Sequence, residues 1–127
     1  MSNLQMPAIP YYSSAVCAYR EAPPSGRIGH NTTITKEHDG VYLVRYHGNP
    51  IVGYDPDGTV YVSNAGWASV TTHTRINLIV GVHCSAYRKD WQAYLTVGDT
   101  TYPLGREWIA VFGESVSRNQ PPSHLAT

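Results

Sequence analysis

The stretch PIVGYDPDGTVYVSNA, residues 50–65, decides the fold class because two short apolar runs flank the turn sequence Asp-Pro-Asp-Gly. A proline presets the backbone of a turn, and a glycine accepts the positive φ that closes a hairpin. β-branched and aromatic residues, which favour extended backbone, dominate both runs. Residues 50–65 are therefore predicted to form a β-hairpin.

Segments on both sides extend this hairpin into a sheet. The segments that continue the strand pattern are residues 31–37, 41–48, 84–104 and 107–113. Residues 84–104 predict two further strands, with a break near Lys89-Asp90 and a turn at Gly98-Asp99. Together these segments predict an antiparallel, mostly meandering sheet of about six strands.

One segment, residues 71–82, supports two interpretations. As a helix it places Ile76, Ile79 and Val80 on one stripe, with Thr71 or Thr72 as N-cap and Gly81 at its end. As a strand it alternates from Ile76 to Val82, and its β-branched residues favour that form. We favour the helix, which gives an α+β fold: a small antiparallel sheet with one short helix packed on a face.

Proline positions divide the chain into three parts. Six of the nine prolines lie outside the central block, at positions 7, 10, 23, 24, 121 and 122. We therefore predict a Pro-rich, extended N-terminal arm at 1–29, a single globular domain at 30–113 and a polar C-terminal tail at 114–127. The arm carries apolar residues such as Ile9 and Val16, so we expect it to pack on its own domain or on a neighbouring subunit. A homo-oligomer with exchanged arms is expected.

Composition excludes several classes of protein. The chain has 127 residues, 42% of them hydrophobic and 14% charged, which is typical of one globular soluble domain. Nine basic residues balance nine acidic ones, so neither nucleic acid nor a membrane surface is an expected partner. No stretch approaches the roughly 18 apolar residues of a membrane span, and no basic leader precedes an apolar run. A cytoplasmic location is expected, with Cys17 and Cys84 free and buried.

Motifs for catalysis and metal binding are absent from the sequence. The six histidines show no H-x-x-x-H spacing, and DPDG lacks the remaining ligands of a calcium loop. There is no G-x-S-x-G and no arranged Cys–His pair. We therefore expect no enzyme activity, no metal and no cofactor.

A basic-aromatic surface is a further interpretation of the sequence. The residues that would form it are Arg45, Arg88 and Lys89 with Tyr46, Tyr87 and Trp91. Such a surface suits single-stranded nucleic acid, but the zero net charge of the chain speaks against it.

The cluster SNAGWASVTTHTRIN, residues 63–77, is the candidate ligand site. Its candidate binding residues are Trp67, Thr71, Thr72, His73, Arg75 and Asn77. In the functional interpretation the helix N-terminus and Arg75 hold a phosphate, and Trp67 stacks on a base. In the structural interpretation Trp67 fills the core under the helix, while Arg75 and Asn77 hold the loop. The structural interpretation is favoured, and it predicts that Trp67 is mostly buried.

The same cluster resembles a group of small proteins of unknown function from tailed bacteriophages. The shared pattern is S/N-x-G-W-x-(S/T)-x-T-T-x-x-R-x-N, met here between Asn64 and Asn77. Further matching residues are Asn31, Thr32, Arg45, His47, Ile51, Val52, Tyr87, Trp91 and Tyr94, so that the resemblance covers about residues 30–97. It implies a viral origin and no particular chemistry.

Two functions follow as expectations. The first is a non-enzymatic phage-encoded binding protein in the host cytoplasm, which interferes with a host protein or sequesters a nucleotide signal of host defence. The second is a structural virion protein that uses its arm and tail for assembly.

Overall fold

Two helices and nine strands form the part of the chain that the computed structural model describes, residues 5–113 and 116. The helices are α1 (Tyr12–Glu21) and α2 (Val70–Val80). The strands are β1 (Arg27–Gly29), β2 (Thr32–Lys36), β3 (Tyr42–Tyr46), β4 (Asn49–Tyr54), β5 (Val60–Val62), β6 (Ser85–Lys89), β7 (Gln92–Val97), β8 (Thr100–Pro103) and β9 (Ile109–Phe112). The predicted α+β class is confirmed.

The strands form two antiparallel sheets rather than one. The larger sheet has the order β1-β2-β3-β4-β5-β9, and the smaller one has the order β6-β7-β8. Residues 84–104 therefore contain three strands, and the prediction of two was wrong. The predicted break and the predicted turn are both present, and each of them reverses the chain. Ser85–Lys89 pairs with β7 on one side, and the turn at Gly98, with a φ of 60°, lets Thr100–Pro103 pair with β7 on the other.

The predicted hairpin and the predicted helix are both present. In the hairpin Val52 pairs with Val62, and Gly58 takes the positive φ of 97° in the turn. The helix α2 ends at Gly81, as predicted. Its N-cap is Ser69, not Thr71 or Thr72, because the Ser69 side chain accepts a hydrogen bond from the Thr72 amide.

The N-terminal arm is not extended as predicted. Residues 12–21 are helical, and the prolines at 7, 10, 23 and 24 flank this helix rather than interrupt it. Ile9 is 1% exposed, and its amide donates to the Ile79 carbonyl at 2.9 Å. The arm therefore belongs to the core of its own chain.

Self-association stays a prediction. The predicted C-terminal tail lies outside the described residues except for Val116.

The main core lies where the large sheet, α2 and the small sheet meet. Its buried residues include Val44 and Val52 from the large sheet, Ile76 and Ile79 from α2, and Leu95 from the small sheet. A second buried cluster consists of Val41, Leu43, Tyr61, Trp108 and Ala110. No helix among the described residues is long and apolar enough to cross a membrane.

Both cysteines are free, but only one is buried as predicted. Burial raises the pKa of the Cys84 thiol to about 12. Cys17 is exposed, because it lies on the outer side of α1, which was not foreseen as a helix.

Candidate functional site

Trp67 is 61% exposed, so the prediction that it fills the core was wrong. The space under α2 is filled by the helix's own buried side chains, among them Ile76 and Ile79. Directly before the tryptophan, Ala65 and Gly66 have positive φ angles of 55° and 88°. The chain turns at these two residues, and the indole is left at the surface.

Buried polar side chains fix the loop that carries Trp67. Asn64 is 1% exposed: its Oδ1 accepts from the Gly66 amide, and its Nδ2 donates to the Leu104 carbonyl. The Ser63 hydroxyl accepts from the Ala65 amide and donates to the Gly105 carbonyl. Because these bonds join the loop to a segment 40 or more residues away, Trp67 is exposed on a fixed support.

Two adjoining clefts meet at Trp67 and Asn49, which line both of them. The first cleft, of about 410 Å³, is also lined by Tyr46, His47, Ser69, Thr71 and Thr72. The second, of about 520 Å³, is also lined by Pro50, Ser63, Ala65, Gly66, Arg106 and Trp108. We call the two together the Trp67 cleft. Its volumes fall within the range of small-molecule sites.

Arg106 is the cation of the Trp67 cleft, and Gly66 determines where it lies. A Cβ atom at Gly66 would approach Arg106 Nε to 2.8 Å, so the arginine side chain runs directly over this glycine. The guanidinium group therefore lies beside the Trp67 loop. No carboxylate is among the residues that line the two clefts in the described part of the chain. An anionic or hydrogen-bond-accepting ligand suits this lining.

Three of the six predicted site residues line the cleft: Trp67, Thr71 and Thr72. Thr71 is exposed and its hydroxyl lies 3.2 Å from Ser69 Oγ. Thr72 is buried, and its hydroxyl lies 2.9 Å from the same oxygen. Both threonines therefore belong to the capping network of α2, and Thr71 is the one that offers a hydroxyl to the cleft.

Arg75 does not face the cleft as the phosphate hypothesis required. It is 4% exposed and donates hydrogen bonds to Thr32 Oγ1 and to the carbonyls of Thr71 and His30, each at 3.1 Å. Its guanidinium carbon also lies 3.9 Å from the centroid of the Tyr46 ring. Arg75 holds the start of α2 against the large sheet, as the structural interpretation predicts.

Asn77 and His73 lie on the side of α2 that faces the small sheet. The Asn77 amide donates to the Ala86 carbonyl at 2.9 Å and accepts from the Ala86 amide at 2.8 Å. His73 is 4% exposed, and its Nε2 has no hydrogen-bond partner among the described residues. Burial is the main reason that the pKa of His73 is lowered, and the positive charge of Arg88 lowers it further. Neither residue lines the Trp67 cleft: Asn77 joins α2 to β6, and His73 is buried.

The sequence analysis missed Arg106, Asn49 and Trp108 as lining residues. Arg106 has no motif around it, and it reaches Trp67 only because buried Ser63 and Asn64 bind the segment 104–106. The predicted basic-aromatic surface is divided. Arg45 contacts Glu37 in the large sheet, while Arg88 lies over Trp91 in the small one.

No group of three or more histidine, cysteine or carboxylate side chains in the described ranges has the geometry to hold a metal ion. The prediction that the chain uses no metal stays a prediction.

Comparison with models of known protein families gives a match. The family model described as Kyanoviridae Gp96 protein matches residues 21–114, which is most of the chain. No curated protein and no solved structure matches. The predicted phage origin is thereby confirmed at the level of a family, while the motif that suggested it is not.

Proposed function

The chain belongs to the Kyanoviridae Gp96 family of bacteriophage proteins, and from that premise we propose that it is a non-enzymatic binding protein whose Trp67 cleft takes a nucleotide-type small molecule. The observation that carries the proposal is the Trp67 indole, 61% exposed on a fixed loop and shared by two adjoining clefts. An exposed indole on a rigid support contributes nothing to the core of this chain, but it offers a stacking face to a planar ring.

The chemistry of the lining favours a ligand with a planar ring and an anionic group. Trp67 supplies the stacking face, and Arg106 supplies a guanidinium group that binds phosphate through paired hydrogen bonds. Asn49 and Thr71 add an amide and a hydroxyl, which can recognise the edge of a base or a sugar. A nucleotide combines these groups in one molecule.

Binding without turnover is the simplest use of these residues. A hydroxyl nucleophile needs a base within hydrogen-bond reach. In the Trp67 cleft the Ser69 hydroxyl lies against the hydroxyls of Thr71 and Thr72 and accepts from the Thr72 amide. These bonds engage it in the helix cap. We therefore propose that the protein sequesters its ligand, as a phage protein that withdraws a host nucleotide signal would do.

Two other roles have less support. The argument for a virion role was an N-terminal arm that packs on other subunits. Ile9 and Ala15 are buried in the core of the same chain, so the arm gives this role no support. Interference with a host protein would use the same exposed Trp67, but a flat protein surface needs no clefts of this size.

Calorimetry with a panel of mononucleotides, cyclic dinucleotides and ADP-ribose-type molecules tests the proposal. We expect at least one member to bind with a dissociation constant below about 1 mM. Trp67→Ala should abolish this binding and Arg106→Gln should weaken it about tenfold, both without a change in melting temperature. Trp91→Ala, which removes another exposed indole, is the matched control. It should bind the mononucleotides of the panel with the affinity of the wild type. Failure of the whole panel, or full binding by Trp67→Ala, would contradict the proposal.

A further inference from the structure

Trp91, at the turn between β6 and β7, is the most exposed large apolar side chain among the described residues, at 88%. Asp90 and Trp91 have positive φ angles of 52° and 69°. Glycine or asparagine is usual at such turn positions, and a bulky residue there is strained. Trp91 therefore gains little burial and bears a conformational cost. A residue with that combination is expected to contact something outside its own chain.

The turn lies at the same end of α2 as Trp67. The helix runs from Val70 to Val80, and β6 returns beside it, with Ala86 bonded to Asn77. Further along β6, the charge of Arg88 acts on His73, one helical turn before Asn77. The chain beyond Arg88 therefore reaches the N-terminal end of α2, which Trp67 immediately precedes. The register of β6 along α2 therefore places both exposed indoles toward the N-terminal end of α2.

Cations accompany both indoles. The Arg88 guanidinium carbon lies 5.6 Å from the centroid of the Trp91 ring, Lys89 is exposed next to it, and Arg106 lies in the Trp67 cleft. The exposed carboxylates in the same segments are Asp90 and Glu107. Positive charges thus outnumber negative ones at this end, although the chain as a whole has none in excess. The cations lie beside the indoles, so contacts with the phosphates next to a stacked base do not depend on the net charge of the whole chain.

We infer that, beyond a free nucleotide, the Trp67 cleft takes one nucleotide of a single-stranded nucleic acid, whose neighbouring nucleotides contact Trp91, Arg88 and Lys89. The inference rests on the proposed function, because it places one base in the Trp67 cleft. Aromatic rings stack on unpaired bases of any sequence, and cations beside them follow the phosphates. A duplex keeps its bases paired and does not offer them to either indole.

Binding of thymidine monophosphate and of labelled thymidine oligomers of about four and about twelve nucleotides tests the inference. We expect affinity to rise with length. Trp91→Ala should weaken the longer oligomer about tenfold and leave the mononucleotide unaffected, since base–aromatic stacking contributes that much per base. Trp67→Ala should weaken both. Arg88→Gln and Lys89→Gln should lower the salt dependence of oligomer binding. Melting curves should match the wild type because these side chains are exposed.

The outcomes separate the two proposals. Mononucleotide binding that does not tighten with length, or that tightens equally in Trp91→Ala, overturns the inference and leaves the proposed function standing. Oligomer binding that depends on Trp91 but not on Trp67 overturns the shared site and the proposed function with it. Equal binding of duplex and single strand contradicts base stacking and overturns the inference. If the turn at Trp91 recognises a protein and not a nucleic acid, no oligomer will bind, and that result also overturns the inference.

Discussion

The guanidinium group of Arg75 stacks on the ring of Tyr46, with 3.9 Å between the guanidinium carbon and the ring centroid. Tyr46 lines the Trp67 cleft, and Arg75 supports it from the buried side. The residue that the sequence offered as a phosphate ligand therefore shapes the wall of the cleft instead of entering it.

The first prediction follows from this pair. Arg75→Ala removes three hydrogen bonds and leaves the carbonyls of His30 and Thr71 without this donor, so we expect a loss of about 2–4 kcal/mol in the free energy of unfolding. Urea denaturation measures it. Arg75→Lys keeps the charge but not the planar group and should recover only part of the loss. Unfolding of Arg75→Ala at wild-type urea concentrations would contradict the structural role.

The second prediction concerns His73 and pH. Burial, followed by the charge of Arg88, lowers the pKa of this imidazole in the folded state. The unfolded chain then takes up a proton at a higher pH than the folded chain does. Stability should be unaffected by this group above about pH 7 and should fall as the pH drops through about 6.5, where the unfolded form is protonated.

Denaturation of His73→Asn at several pH values tests that prediction. The substitution should flatten the decline in unfolding free energy between about pH 7 and about pH 5. His38→Asn, at an exposed turn position, is the control and should keep the wild-type slope. An unchanged slope in His73→Asn would show that the burial of this residue has no thermodynamic consequence.

The third prediction concerns Gly66. An alanine there would have both a strained backbone, at φ 88°, and a Cβ atom 2.8 Å from Arg106 Nε. We expect a stability loss of about 1–2 kcal/mol together with weaker ligand binding, since Arg106 must move. Gly58→Ala is the matched control: it has a φ of 97° with nothing within 4 Å of the new atom. It should lose stability and keep its affinity. Equal affinities in both variants would exclude a role for the position of Arg106.

The sequence predicts those parts of the fold that depend on local interactions. Asp-Pro-Asp-Gly forms its turn from neighbouring residues, and the stripe of Ile76, Ile79 and Val80 is a property of one helix. The second sheet was missed because the two reversals in residues 84–104, at Asp90-Trp91 and at Gly98, fold three strands onto one another instead of onto the large sheet. Which strands pair across such turns is not encoded in the local pattern. The helix α1 was missed because the prolines around it suggested extended chain, although none lies inside it.

The cleft could be predicted only in part, because its geometry depends on contacts between distant segments. Whether Trp67 points inward or outward is determined at Ala65 and Gly66, and Ser63 and Asn64 fix that turn through bonds to residues 104 and 105. No periodicity in the sequence encodes those bonds. Residue type alone could not separate Arg106, a cation of the cleft, from Arg75, a cation of the interior.

The most direct test of the central claim is an NMR titration of the indole N–H signals with the ligand that calorimetry selects. The three tryptophans, Trp67, Trp91 and Trp108, can be assigned by substituting each in turn. With a mononucleotide, we expect the Trp67 signal to shift most, Trp108 to shift less because it lines one cleft, and Trp91 to stay in place. A Trp67 signal that stays in place while the ligand binds would contradict the account.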